Sequence, residues 1–204
     1  MDRNEALKVL SGLAFTSALP PPFRISTVQQ GTRSTVVNVR DVGATGDGRT
    51  DDTTAFETAA STVGRSGGGV IYTPPGKYVV RDVWLRSNTW LRGEGAGRSV
   101  LLRKASSVST LEPRSNLINA GPTSGTLYPR SDPGRDIWIS DIEVDANAQQ
   151  QIQTWGGSAA GDSIGGAGID LRWVKDVVLE RVYAHHAITE GIRLWMCPSA
   201  KLIA

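Results

Sequence analysis

A short pattern occurs twice near the C-terminus, and the second copy begins 23 residues after the start of the first. The copies are Gly168-Ile169-Asp170-Leu171 ahead of Val177-Val178-Leu179, and Gly191-Ile192-Arg193-Leu194 ahead of Ala200-Lys201-Leu202. In each copy a glycine opens an alternation of apolar and polar residues, a break follows, and a second short apolar segment begins. Alternation with a period of two indicates strands, and a repeat of this length indicates a solenoid. The pattern therefore predicts an all-β parallel β-helix, in which each coil pairs only with its neighbours.

A third, less regular copy lies further upstream. Residues 136–142 resemble residues 176–182, which follow 40 residues later. The extra length fits one coil plus an insertion, and the segment 147–168, rich in Gln, Gly, Ser and Ala, is the candidate insertion. Long loops of this kind in a compact fold are often functional.

One amphipathic helix is predicted before the first coil. Residues 37–48 alternate and then break into a Gly and Asp turn, and Asp51 or Asp52 can accept the free N–H groups of the following turn. Apolar residues then recur at helical spacing on one face. These residues are Ala55, Phe56, Ala59, Ala60 and Val63. A solenoid needs its open end covered, so we predict an N-terminal capping α-helix of about three turns.

Composition excludes several classes of protein. The formal net charge is +2, and the 22 basic residues are scattered, so we expect no nucleic-acid partner. The single cysteine, Cys197, excludes an intrachain disulfide framework and a zinc site built from cysteines. We expect it to be a small apolar filler beside a strand end.

Residues 1–23 resemble an export signal, with charged residues before an apolar run at 9–15, small residues at Ser17 and Ala18, and three prolines. We predict a secreted or periplasmic protein, a linker at 24–35, and the cap and first coils at 36–204. A short amphipathic N-terminal helix is the alternative. The apolar run is too short to span a bilayer, so no membrane partner is expected for the mature form.

Residues 202–204 end inside a predicted strand, from which we expect C-terminal truncation and further catalytic groups in later coils.

Three segments carry a resemblance to a known family. They are NVRDVGATGDGRTDDT at 38–53, GGVIYTPPGKY at 68–78 and LRGEG at 91–95. Together they closely resemble the N-terminal region of the pectate-lyase-like superfamily, whose members include polygalacturonases, rhamnogalacturonases, alginate epimerases and phage tailspike depolymerases. The resemblance implies a right-handed parallel β-helix that acts on or binds polysaccharide.

The repeated strands supply the first candidate site. Alternation directs Asp170 and Arg172 to solvent in one copy, and Arg193 and Trp195 in the next. Because parallel coils stack about 4.8 Å apart, Asp170 should lie beside Arg193, and Arg172 beside Trp195. Such a face could hold an acidic sugar, with Asp170 and Arg193 as catalytic candidates and Arg172 and Trp195 as substrate-binding candidates. A solvated salt-bridge ladder is the alternative.

Glu190 is a further catalytic candidate. It precedes a strand at a place that resembles the position of the catalytic aspartates in polygalacturonases. Only one carboxylate stands there, so hydrolysis by a pair of carboxylates is poorly supported.

The two histidines and one aspartate complete the candidates. His185 and His186 lie at the end of a coil, with His186 as a catalytic candidate and His185 as a substrate-binding one. Adjacent residues of a strand point to opposite sides, so at most one should face the same cleft as Glu190. The alternative is a hydrogen-bonded turn histidine. Asp145 is similar in position to a strand end common to alginate epimerases, which makes it a substrate-binding candidate, although the Asp-Pro-His motif of those enzymes is replaced by other residues here.

These observations predict a secreted enzyme that cleaves an acidic polysaccharide by hydrolysis or β-elimination. Arg172 and Arg193 would neutralise a uronate carboxylate, and Glu190 or a histidine would move the proton. A non-catalytic, polysaccharide-binding β-helix of the tailspike or adhesin type is the alternative. No metal or other cofactor is assigned, since the calcium of some pectate lyases needs a carboxylate cluster that these coils do not display. The sugar, the linkage and the oligomeric state stay open.

Overall fold

Short parallel strands form almost all of the regular structure. The computed structural model describes residues 35–105, 115–119, 133–151 and 167–204. The predicted export segment at 1–23, and most of the predicted insertion at 147–168, lie outside the described residues. The strands are β1 (Thr35–Asn38), β2 (Asp47–Asp51), β3 (Gly69–Tyr72), β4 (Gly76–Val80), β5 (Val83–Leu85), β6 (Thr89–Arg92), β7 (Ser99–Arg103), β8 (Leu117–Asn119), β9 (Gly134–Asp145), β10 (Ile169–Arg172), β11 (Val174–His185), β12 (Ile192–Trp195) and β13 (Lys201–Ile203). One α-helix, α1, spans Thr53–Arg65.

The strands wind into coils with three faces. The first face contains β1, β3, β6, the first half of β9, the first half of β11, and β13. The second contains β2, β4, β7 and the second halves of β9 and β11, and the third contains β5, β8, β10 and β12. Every strand pair among the described residues is parallel, and crossover connections between parallel strands are almost always right-handed. The predicted all-β, right-handed parallel β-helix is confirmed.

The predicted repeat spacings are confirmed by the strand register. Ile169 pairs with Ile192, which is the 23-residue spacing, and Val177 pairs with Ile137, which is the 40-residue spacing. Inside the coils one apolar residue of each turn lies above the next. This column is Ile71, Leu91, Ile139 and Leu179, all at most 2% exposed. Burial of each such side chain contributes about 1.5–3 kcal/mol, so the column stabilises the stacking of successive coils.

Left-handed backbone positions make the corners before the first face. Asn88, Asp136 and Asp176 each precede a strand segment of that face and have φ of 59°, 53° and 59°. The register places these three residues above one another. Asn and Asp adopt this conformation more readily than most residues because their short polar side chains can hydrogen-bond locally. The choice of residues at one position per coil therefore sets where the chain turns.

Helix α1 packs on the first coil, as predicted. The five apolar residues of its predicted face are all buried: Ala55, Phe56, Ala59, Ala60 and Val63. Asp51 accepts hydrogen bonds from the backbone N–H of Thr53 at 3.1 Å and from its hydroxyl at 2.6 Å. Asp52 is buried and accepts from the N–H groups of Thr45 and Gly46. The two carboxylates thus fix the helix start and the preceding Gly and Asp loop.

Candidate active site

The first candidate cluster lies on the third face, where β10 pairs with β12. The predicted neighbours are confirmed, because Asp170 lies opposite Arg193 and Arg172 opposite Trp195. The prediction that Asp170 and Arg172 face solvent was wrong, since their exposed fractions are 0% and 9%. Ile118, in register with Asp170 on β8, is also fully buried, so the outward side of this face is covered at these positions.

Charge pairing explains how Asp170 can be buried. Its carboxylate accepts from Nε of Arg172 at 2.9 Å and from Nη2 at 2.8 Å, and Nη1 of Arg193 lies 3.5 Å away. A buried carboxylate is tolerated when it is paired and hydrogen-bonded in this bidentate way. Arg193 also contacts Glu190, so two acids and two guanidinium groups neutralise one another. A sugar carboxylate that bound Arg172 or Arg193 would have to compete with these protein carboxylates.

Glu190 and Trp195 are the accessible members of this cluster. The Glu190 side chain is 51% exposed, and its pKa lies below the ordinary value because the Thr189 hydroxyl, and then the Arg193 guanidinium, hydrogen-bond to the charged form. Trp195 is exposed at the far end of β12. Glu190 is therefore an ionised carboxylate at neutral pH, and the catalytic role predicted for it stays a prediction.

The second cluster lies where β9 and β11 end on the second face, and it contains the remaining candidates. Register pairs His185 with Asp145, and Tyr183 with Glu143. Nδ1 of His186 lies 3.2 Å from Oδ1 of Asp145, and Nε2 of His185 lies 3.1 Å from Oε1 of Glu143. The Nδ1 atoms of the two histidines are 2.9 Å apart. Two imidazoles and two carboxylates therefore form one connected group.

The backbone of His186 brings the two imidazoles together. Its φ is 50°, in the left-handed region, whereas adjacent residues of a regular strand point to opposite sides. The expectation that the two histidines diverge was therefore wrong, and their ring centroids lie 4.3 Å apart. The preceding coil holds the turn, since the carbonyls of His185 and His186 accept from the N–H groups of Ala146 and Ala148. A left-handed non-glycine residue costs about 1–2 kcal/mol, and the coils use the same conformation at other corners such as Asp136 and Asp176.

One arrangement of protons satisfies every contact in this cluster. If the Nε2–H of His185 donates to Glu143, then Nδ1 of His185 carries a lone pair. The Nδ1–H of His186 then points between that lone pair and Oδ1 of Asp145, which also accepts from the N–H of Asn147 at 2.9 Å. This assignment leaves Nε2 of His186 with a lone pair. Because the His186 side chain is 61% exposed, that nitrogen can act as a proton acceptor.

An aromatic surface borders the histidines. The ring of Tyr183 stacks on His185 with centroids 4.6 Å apart, and Tyr183 is 56% exposed. Exposed aromatic rings can pack against the apolar faces of sugars. The cluster thus combines a proton acceptor, two carboxylates and an aromatic face.

Two members of this cluster were missed in the sequence. Glu143 and Tyr183 alternate with core residues and face outward beside Asp145 and His185. The sequence did contain a signal for both residues. The match of 136–142 to 176–182 continues at the same 40-residue spacing, so that Glu143 aligns with Tyr183 and Asp145 with His185. What the sequence could not provide is the left-handed turn at His186. The structure brings the eight predicted residues together as two clusters, and it leaves their catalytic and substrate-binding roles as predictions.

Comparison with known proteins defines the family. Residues 36–192 match the family model described as rhamnogalacturonase A/epimerase, pectate lyase-like. The chain belongs to this family. Alginate lyase 7 of Azotobacter vinelandii is 31% identical over 156 residues, which cover 71% of this chain and 16% of that protein. The pre-neck appendage protein of Bacillus phage B103 is 30% identical over 161 residues, which cover 76% and 16% of the two chains.

A solved structure shares the fold of this chain. The N-terminal fragment of gene product 12 of bacteriophage Phi29 superposes with a TM-score of 0.59 at 29% identity, and the match covers 76% of this chain and 23% of that one. The family match thus includes proteins named as enzymes and proteins named as phage appendages. The chain spans about a sixth of the length of the two curated relatives. Across the part of the chain that the structure describes, no helix combines the length and the apolar character needed to cross a membrane.

Proposed function

We propose that this chain is part of a secreted enzyme that cleaves a uronate-containing polysaccharide by β-elimination. The observation that carries the proposal is the pair formed by Asp145 and His186, in which a carboxylate lies 3.2 Å from Nδ1 of an exposed imidazole. A carboxylate at Nδ1 fixes the tautomer and leaves Nε2 to accept a proton. This is the arrangement that general-base catalysis by histidine requires.

The reaction needs a base, a proton for the leaving oxygen, and a positive group that neutralises the uronate carboxylate. A base removes the C5 proton of the uronate, the electron pair of the C5–H bond forms the C4–C5 double bond, and the C4–O glycosidic bond breaks. The leaving oxygen then takes a proton from water. In this proposal Nε2 of His186 accepts the C5 proton, and Tyr183 packs against a sugar ring. Arg193 is the candidate for neutralising the uronate carboxylate, with Trp195 exposed on the same strand.

Family membership supports this choice of substrate. Relatives at about 30% identity are named alginate lyase and mannuronan C5-epimerase, and alginate and mannuronan are acidic polysaccharides. Lyases and epimerases of uronates share the first step, which is removal of the C5 proton. The predicted export segment at 1–23 supports secretion. Secretion would bring the enzyme to these polymers, which are extracellular.

A second function is favoured by a different observation. The charged residues of the β10–β12 cluster are paired with one another, and a relative of equal similarity is named a phage pre-neck appendage protein. A non-catalytic, polysaccharide-binding β-helix of the tailspike or adhesin type fits both facts. The same solenoid can serve either purpose, so fold does not separate them.

Product analysis separates these functions. The protein, expressed from its complete gene, is incubated with polygalacturonate, rhamnogalacturonan and alginate, and reducing ends and the ultraviolet absorbance of unsaturated uronates are both measured. We expect both signals to rise together on one polymer. Reducing ends without the absorbance would indicate hydrolysis and contradict elimination. Binding to a polymer with neither signal would favour the appendage function.

A further inference from the structure

We propose that Asp145, His185 and His186 form a binding site for a divalent transition-metal ion of the Zn²⁺ class. No metal was assigned from the sequence, because the coils display no carboxylate cluster of the kind that calcium needs. In the structure one carboxylate oxygen and one nitrogen of each imidazole all lie within 4.8 Å of one another. The site stands independently of the proposed function, and only its effect on activity rests on that function.

The spacing of the ligand atoms fits a small coordination sphere. Zn–N and Zn–O bonds of roughly 2.0–2.2 Å place neighbouring tetrahedral ligands about 3.3 Å apart. The two Nδ1 atoms are 2.9 Å apart, and Nδ1 of His186 is 3.2 Å from Oδ1 of Asp145. Two of the edges of a coordination sphere are therefore nearly in place, and the remaining pair of ligand atoms lies within 4.8 Å.

Electrostatics favours a cation at this point. Two imidazole nitrogens and a carboxylate oxygen converge, and one proton, on Nδ1 of His186, separates them in the assignment given above. A divalent ion that replaces this proton satisfies all three lone pairs at once. The left-handed backbone of His186, held by the hydrogen bond from Ala148, maintains this convergence whether or not an ion is bound.

Glu143 supplies the orientation that metal-binding histidines usually have. Its Oε1 lies 3.1 Å from Nε2 of His185, which directs the opposite nitrogen, Nδ1, toward the site. A histidine that binds a metal commonly donates its other N–H to a carboxylate in this manner, and loss of such a partner weakens metal binding about 10–100-fold. Glu143 and Asp145 thus have different tasks although both lie on β9.

The ligand set selects the class of ion. Two imidazoles and one carboxylate suit Zn²⁺, Ni²⁺, Cu²⁺ or Fe²⁺, whereas Ca²⁺ and Mg²⁺ prefer oxygen ligands. The exposed side of His186 leaves coordination positions for water. An ion on Nδ1 of His186 also forces the proton onto Nε2, so it would remove the proton acceptor of the proposed elimination. We therefore expect the ion to inhibit, and the inhibition alone depends on the proposed function.

Cu²⁺ binding provides the most direct test, because the chain contains two histidines in total. Chelator-treated protein without a histidine tag is titrated with Cu²⁺ and followed by electron paramagnetic resonance, in which coordinated nitrogen splits the signal. Zn²⁺ affinity is measured by calorimetry. The variant His186→Asn removes one ligand and keeps a residue that tolerates the left-handed backbone. Asp176→Asn is the matched control, since Asp176 lies on the same strand with φ of 59° and contacts none of the three ligands.

We expect one ion per chain with two coordinated nitrogens in the wild type and in Asp176→Asn. His186→Asn should show one nitrogen and at least about tenfold weaker Zn²⁺ binding, and Glu143→Gln should weaken binding about tenfold while both nitrogens remain. Wild-type spectra without coordinated nitrogen, or equal affinities in all variants, would overturn the site. Two coordinated nitrogens in the Cu²⁺ spectrum, together with Zn²⁺ binding, in a protein that cleaves no uronate polymer would support the site and overturn the proposed function.

Discussion

Replacement of Asp170 by asparagine should destabilise the protein strongly. The substitution keeps the shape of the side chain and removes its charge, which leaves the guanidinium of Arg172 buried without its bidentate partner. Breaking a buried ion pair in this way costs about 3–5 kcal/mol, whereas exposed pairs contribute about 0–1 kcal/mol. With Asp170 fully buried and Arg172 9% exposed, the pair belongs to the first group. For a chain of this size the cost corresponds to a fall in Tm of about 6–20 °C.

Urea denaturation measures this cost against a matched variant. Asp136→Asn is the same substitution in an exposed pair, in which the carboxylate lies 3.8 Å from Arg135 and is 55% exposed, and it should change stability by less than about 0.5 kcal/mol. The double variant Asp170→Asn/Arg172→Gln should recover part of the loss, because the buried positive charge is also removed. If Asp170→Asn lies within about 1 kcal/mol of Asp136→Asn, the inference that burial makes this ion pair structural is wrong.

Three further predictions concern packing and charge elsewhere in the fold. Gly93→Ala should cost several kcal/mol in urea denaturation, roughly 3 or more, because a Cβ atom there would lie 2.2 Å from the carbonyl oxygen of Asp141 in the next coil; stability near that of the wild type would contradict the close approach. Phe56→Ala, on the buried face of α1, should cost about 3–5 kcal/mol, and a cost below about 1 kcal/mol would mean that the helix does not seal the first coil. Burial raises the pKa of Glu57 above its ordinary value of 4.5, although its carboxylate accepts from the N–H of Trp84. The charged form is therefore costly at neutral pH, so Glu57→Gln should be more stable than the wild type at pH 7 and lose that advantage as the pH falls through the raised pKa to 4.5; an advantage that persists at pH 3 would contradict this origin.

Repetition made most of the fold predictable. A solenoid repeats the same local problem in each coil, so matching Ile169 to Ile192, or Val177 to Ile137, gives the register directly. The face of α1 followed from helical spacing for the same reason, which is that periodicity in the sequence reflects burial.

The errors arose where side chains depend on more than alternation. Asp170 points away from the coil interior, yet Arg172 and Arg193 cover it, and strand periodicity carries no information on what covers an outward position. The two histidines were expected to diverge, but the left-handed φ of His186 turns both imidazoles to one side. Asn88 and Asp176 reveal similar corners through their residue type, because the short polar side chains of Asn and Asp can hydrogen-bond locally in this conformation.

The rate of unsaturated uronate formation by His186→Asn, in the presence of a chelator, tests the proposed role of the Asp145–His186 pair most directly. If His186 accepts the C5 proton, the rate should fall by a factor of about 100 or more relative to the wild type, with Tm and substrate binding unchanged. Asp176→Asn should retain the wild-type rate. A rate for His186→Asn within about twofold of the wild type would contradict the account and place the proton acceptor elsewhere in the protein.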